Sequence, residues 1–185
     1  MGFLWGRLEV LNALPTFREH FVPDAAPAKL ELGTFIYENV AGMHAAVRYL
    51  EDLGWRINPA AASRRSAITS ATEAIRGYEA QLSRAMLDVL EEANATVYGI
   101  TARDQVSQRT PTLCFTLPGV APAAVSEGLA KQDIGVRDGH MYSPRLIKRL
   151  GLAMETGAVR ASLVHYNTLD EVRRFGKAVA GIRSA

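Results

Sequence analysis

Apolar residues recur every three to four positions along two long stretches of this chain. Over residues 37–53 the series Val40, Met43, Ala46, Val47, Leu50 and Leu53 lines one helical face and stops ahead of Gly54. Over residues 66–93 the series Ile68, Ile75, Tyr78, Leu82, Met86, Val89 and Leu90 predicts a second helix. Stripes of this length bury themselves against a partner helix or another subunit. Ahead of them, residues 8–14 read as a short helix stopped by Pro15, and 16–32, with Pro23 and Pro27, as an irregular connection. Phe3, Leu4 and Trp5 form a strand-like patch broken at Gly6, the pattern of a chain entering its fold partway through.

Beyond residue 94 the period alternates between two and 3.6. Residues 97–100 and 113–117 read as strands, with Leu113, Phe115 and Leu117 on one face and Cys114 and Thr116 on the other. Further strands are predicted over 134–137 and 159–164. Helices are predicted over 122–131, 144–150 and 169–182, the last opened by Thr168 and Glu171 at capping-box spacing. The order β-β-α-β-α-β-α behind two long helices predicts an α/β fold: long helices plus a small, mostly antiparallel sheet covered by helices on one face. The division expected is 1–94, with the long helices, and 95–185, a small α/β domain.

The chain's 185 residues, 48% of them hydrophobic, suit one soluble core with an appendage. The 21 Lys and Arg nearly cancel the 19 Asp and Glu, leaving +2, and no basic block interleaved with aromatics supports nucleic-acid binding. Arg145, Lys148 and Arg149 read as one solvated helix face. The single cysteine, Cys114, rules out an internal disulfide and a thiolate zinc cluster, so no metal site is expected. No apolar run is long enough to span a membrane, and the first residues lack a signal-peptide pattern; the expected compartment is the cytoplasm.

Candidate chemistry gathers on the later strands and loops. In the strand 159–164, Val159, Ala161 and Leu163 point one way and Arg160 and Ser162 the other. A mid-strand arginine suits a carboxylate, gripped by two parallel hydrogen bonds, or else a structural ion pair or an exposed sheet face. Arg137 leads into the loop Asp138-Gly139-His140-Met141-Tyr142-Ser143-Pro144-Arg145, where His140 and Tyr142 could bind substrate or move protons. Gly33-Thr34, just ahead of the first long helix, offers a close backbone approach and a hydroxyl to a phosphate, or is a simple turn with a cap.

In order, Gly33-Thr34 and a helix, RTPTLCFTL from Arg109, IGVRDGHMYSPRL from Ile134 and VRASLVHYNTLDEV from Val159 span nearly the whole chain. This series resembles the C-terminal portion of class V aminotransferases, in particular their cysteine-desulfurase-like branch, which are pyridoxal-phosphate enzymes of fold type I. The resemblance implies that Arg160 grips the α-carboxylate of an amino-acid substrate and that Thr34, beside Gly33, reaches the cofactor phosphate across a dimer. It also implies that Arg137, Gly139 and His140 enter a mobile active-site loop, and that Asn167 and Thr168 support the Arg160 strand. Residues 1–94 would then be the tail of the large domain, and 95–185 the small C-terminal domain.

Three departures qualify what the resemblance implies. Tyr142 stands where desulfurases carry their sulfur-accepting cysteine, and Ile36 where they usually show an asparagine. These point toward an aminotransferase- or lyase-like member performing transamination or β-elimination. The family's lysine that bonds covalently to pyridoxal phosphate would fall ahead of Met1, and none of Lys29, Lys131, Lys148 and Lys177 sits in an apolar, pocket-like sequence context. No catalytic residue is therefore assigned, and the chain alone is expected to be inactive and to hold no cofactor covalently. The rival expectation is a non-catalytic, dimerising α/β module that binds a carboxylate ligand.

Overall fold

The computed structural model describes residues 2–34 and 36–183. They fall into two compact units, 1–68 and 69–185.

The first unit holds α1 (Leu8–Ala13), a single 3-10 turn at Ala28–Leu30, α2 (Tyr37–Ile57) and the first residues of α3 (Arg64–Glu92). Residues 3–5 form no strand: no neighbour supplies a ladder, and Phe3 and Trp5 stand 81% and 80% exposed. The helix α2 does not stop at Gly54. A Cβ there would lie 1.9 Å from the carbonyl oxygen of Ala67, so this glycine marks the close passage of α3's backbone. The helix ends instead at Asn58, where the following Pro59 disfavours helical geometry and φ, ψ turn to −132° and 83°. Ser63 and Ser66 open α3 reciprocally: Ser66 N donates to Ser63 Oγ at 3.2 Å, and Ser63 N to Ser66 Oγ at 3.0 Å.

The second unit continues α3 and adds β1 (Thr96–Tyr98), a 3-10 helix at Arg103–Gln108, β2 (Thr112–Thr116), α4 (Pro122–Ala130), β3 (Arg137–Gly139), α5 (Pro144–Arg149), β4 (Ala158–Ser162) and α6 (Leu169–Arg183). The strands form one antiparallel sheet in the order β1-β2-β4-β3. Its inner face, with Leu113, Phe115, Val159 and Ala161, packs on α3, α4 and α6. The Phe115 and Phe175 rings meet edge to face at 6.2 Å in this core. Alternation leaves Cys114, Arg160 and Ser162 on the opposite face.

The third strand lies later than the hydrophobic pattern predicts. Ile134 N donates to Leu129 O at 3.1 Å and Asp133 takes a positive φ of 55°, so the turn closing α4 consumes this backbone. Pairing begins at Arg137 and finishes where Gly157, at φ 62°, passes so close to Gly139 that a Cβ would meet its carbonyl carbon at 2.1 Å. The capping box of α6 forms as its spacing predicts: Thr168 N donates to Glu171 Oε2 at 2.6 Å, and Glu171 N to Thr168 Oγ1 at 3.2 Å.

Candidate functional site

Register on the open sheet face builds a row of four side chains. Tyr98 stands opposite Cys114, Cys114 opposite Arg160, and Arg160 opposite Arg137. Directly opposed residues share a face, so two arginine side chains leave the same face from paired positions at one end of the row. Both arginines are exposed, and among the described residues neither makes an ion pair. That removes the structural ion pair as an account of Arg160. Like charges placed directly opposite repel, and an anion between them relieves the repulsion.

The row's floor is polar and held in place. Thr112 Oγ1 and Ser162 Oγ lie 3.2 Å apart, and the Tyr98 and Thr116 hydroxyls also 3.2 Å apart. Arg109 grips the loop leading into β2, donating to Thr112 O at 2.9 Å, to Thr110 O at 3.3 Å and to Ile100 O. Burial without an acidic partner lowers the pKa of this guanidinium. Cys114 is half-buried rather than a fully buried core residue. Burial pushes its thiol up, and the nearby Arg160 charge opposes that rise.

The turn after β4 is tied down on three sides. Asn167 Oδ1 accepts from Val164 N at 2.9 Å, Asn167 N donates to Val164 O at 2.8 Å, and the Tyr78 hydroxyl of α3 donates to Asn167 O at 2.8 Å. This network anchors the end of the strand that carries Arg160. Tyr78 was legible only as part of an apolar stripe, because its partner is a backbone carbonyl 89 residues away.

His140 and Tyr142 follow β3 directly. Tyr142 N donates to His140 Nδ1 at 3.2 Å, Ser143 N to His140 O at 2.8 Å, and the Tyr142 ring is 91% exposed. Met141 and Tyr142 take φ of 46° and 60°, consecutive left-handed conformations that cost about 1 kcal/mol or more each outside glycine.

Gly33 and Thr34 belong to the first unit. Gly33 has φ 88°, and both residues are exposed in the turn ahead of α2. They line an open cavity of about 630 Å³ whose walls include Phe3, Leu4, Leu11 and Leu30. A hydroxyl beside a glycine with open space around it fits a phosphate contact. Lys29 lies nearby in sequence but is not available as a nucleophile. Only 3% exposed, its Nζ donates to Asn12 O at 2.7 Å, Leu14 O at 2.9 Å and Asp24 Oδ1 at 3.5 Å, which uses all three N–H bonds. Lys131, Lys148 and Lys177 are exposed. Taken unit by unit, Gly33 and Thr34 of the first have the chemistry to meet a phosphate and Arg137 and Arg160 of the second the chemistry to meet a carboxylate, and Lys29 is spent on its own hydrogen bonds. Among the described residues no cluster of three or more potential metal ligands exists, and no helix is long and apolar enough to cross a membrane.

Residues 2–175 match the family model described as aminotransferase class-V. An aminotransferase-like protein from Gibberella zeae is 31% identical over 175 residues, covering 93% of this chain and 40% of its own length. A cysteine desulfurase from Synechococcus elongatus is 30% identical over 196 residues, covering all of this chain and 27% of its own length. The apo structure of a cysteine desulfurase from Thermococcus onnurineus NA1 superposes with a TM-score of 0.74 at 24% identity, over 97% of this chain and 42% of the other. The chain thus spans about two-fifths or less of the length of these relatives, and its fold is the corresponding part of a fold-type-I enzyme.

Proposed function

The chain belongs to the class-V aminotransferase family, and from that membership we propose that it is the substrate-gripping part of a pyridoxal-phosphate-dependent enzyme acting on an amino acid. The observation that carries this reading is the Arg137–Arg160 pair, two exposed arginines directly opposed in register, neither of which forms an ion pair among the described residues. Arg160 takes the substrate carboxylate by two parallel hydrogen bonds, and Arg137 adds charge from the next strand. His140 and Tyr142 border the substrate from the loop after β3, and Gly33 and Thr34 contact the cofactor phosphate. Residues 1–94 are the tail of the large domain and 95–185 the small domain. The complete enzyme is a dimer or higher oligomer.

Pyridoxal phosphate, when bound, withdraws electrons from bonds at the substrate's α-carbon, the chemistry behind transamination and β-elimination alike. This chain's own residues bind and orient. Tyr142, a phenol, is a hydrogen-bond donor rather than a sulfur acceptor, which favours these reactions over persulfide formation. The engagement of Lys29 and the exposure of the other three lysines support a chain that is inactive alone. The same observation favours a second reading, a non-catalytic dimerising module that binds a carboxylate ligand through the same arginines.

The experiment is a titration of the chain with L-alanine and, separately, with alaninamide, followed through the guanidinium Nε–H resonances. The expected result is saturable shifts at Arg160 and Arg137 with L-alanine only, lost in Arg160→Lys. Equal shifts with both compounds, or none with either, would remove the carboxylate grip.

A further inference from the structure

The loop after β3 holds an unusual backbone with a titratable contact. Two successive non-glycine residues, Met141 and Tyr142, are left-handed, a conformation that side chains disfavour unless the surroundings enforce it. Two hydrogen bonds enforce it here. One, Ser143 N to His140 O at 2.8 Å, is backbone to backbone and indifferent to pH. The other, Tyr142 N to His140 Nδ1 at 3.2 Å, needs an unprotonated ring nitrogen. The imidazole must therefore carry its proton on Nε2 for the turn to close.

We infer that His140 is a positioning residue whose protonation state sets the conformation of residues 141–142, and with it the presentation of the Tyr142 phenol. With Nδ1 bare, the ring accepts the Tyr142 amide and the phenol stands out from the loop, 91% exposed. With Nδ1 protonated, two N–H groups face each other, the contact is lost, and the strained pair relaxes toward ordinary backbone angles. The ionisable groups on the adjoining elements are Arg137 and Asp138 of β3, Arg160 of β4, Arg145, Lys148 and Arg149 of α5, and Glu155 before Gly157. Among the described residues none of them forms an ion pair with the ring. This inference concerns the loop's own conformation and goes beyond the carboxylate grip, standing whether or not the arginines bind an amino acid.

The test is amide exchange and ring ¹⁵N spectroscopy on the full chain as a function of pH. Ring shifts at high pH should identify the Nε2–H tautomer. Protection of the Tyr142 amide, corrected for intrinsic exchange, should fall tenfold or more as the His140 ring signals report protonation. His140→Asn, whose side-chain oxygen replaces the acceptor at every pH, should keep the amide protected across the range. His140→Phe should leave it unprotected throughout, with core amides such as that of Val159 unchanged in both variants. An Nδ1–H tautomer at high pH, or Tyr142 protection that ignores the titration, would overturn the inference, as would protection that survives in His140→Phe.

Discussion

Cys114 and Arg160 stand directly opposite each other on β2 and β4, on the face of the sheet turned away from the core. The thiol meets two opposed influences there. Partial burial disfavours the thiolate, the neighbouring guanidinium favours it, and burial is the larger effect. Cys114 is therefore a weak nucleophile at neutral pH, and Arg160 keeps it from being weaker still. Alkylation of the chain by iodoacetamide should be slow, and slower again in Arg160→Gln at equal folded fraction. A faster reaction in the variant would mean that Arg160 shields the thiol sterically, and that the electrostatic account of the pair is wrong.

Covalent attachment gives a second check. Lys29 is buried and spends its three N–H bonds on Asn12, Leu14 and Asp24, while Lys131, Lys148 and Lys177 are exposed to water. A free, desolvated amine is what carbonyl attack requires. Incubation with pyridoxal phosphate, borohydride reduction and digestion should yield only scattered, substoichiometric labelling. One lysine modified stoichiometrically would contradict this reading.

Close passage at Gly54 gives a third. The Cβ of Gly54→Ala would sit 1.9 Å from a backbone oxygen of Ala67, an atom that cannot rotate away. Overpacking of this kind costs about 1–3 kcal/mol or more. In thermal unfolding Gly54→Ala should melt clearly earlier, while Gly42→Ala, on the same helix with open space around it, should melt at the same temperature or higher. Equal melting of the two variants would mean that α2 and α3 separate without cost.

The same glycine shows where the sequence could mislead. As a letter in a helical pattern Gly54 reads as a stop, and only the neighbouring backbone reveals it as a contact. The helices and three of the four strands were legible because burial imposes period 3.6 or 2 on them, and Arg160 was legible because it takes the polar phase of a strand whose other face is apolar. The third strand was misplaced because the amide of Ile134 is spent on α4, a long-range fact that no local pattern carries. Phe3–Trp5 reads as a strand from its apolar residues alone, yet strands exist only where a partner does. The pairing of Arg137 with Arg160, which most supports the functional reading, is a matter of register between residues 23 positions apart on two strands and lay outside what spacing reveals.

Acid should weaken the start of α6 in a way that one substitution isolates. The Glu171 carboxylate is held below its usual range, chiefly by the Thr168 backbone N–H and then by the Thr168 hydroxyl, with the Asn167 amide adding to it. A carboxyl whose pKa is lowered in the folded state contributes stability above its unfolded-state pKa, and that contribution disappears as pH falls through the folded value. Glu171→Gln keeps a side chain able to complete the capping box but removes the charge, along with its interaction with the helix dipole. The wild-type chain should therefore melt above Glu171→Gln at neutral pH, and the two melting temperatures should converge on acidification. Thr168→Ala, which removes the hydroxyl that caps the helix, should cost about 1 kcal/mol at neutral pH. A gap between wild type and Glu171→Gln that stays constant from neutral to acid pH would show that the carboxylate's charge plays no part in opening this helix.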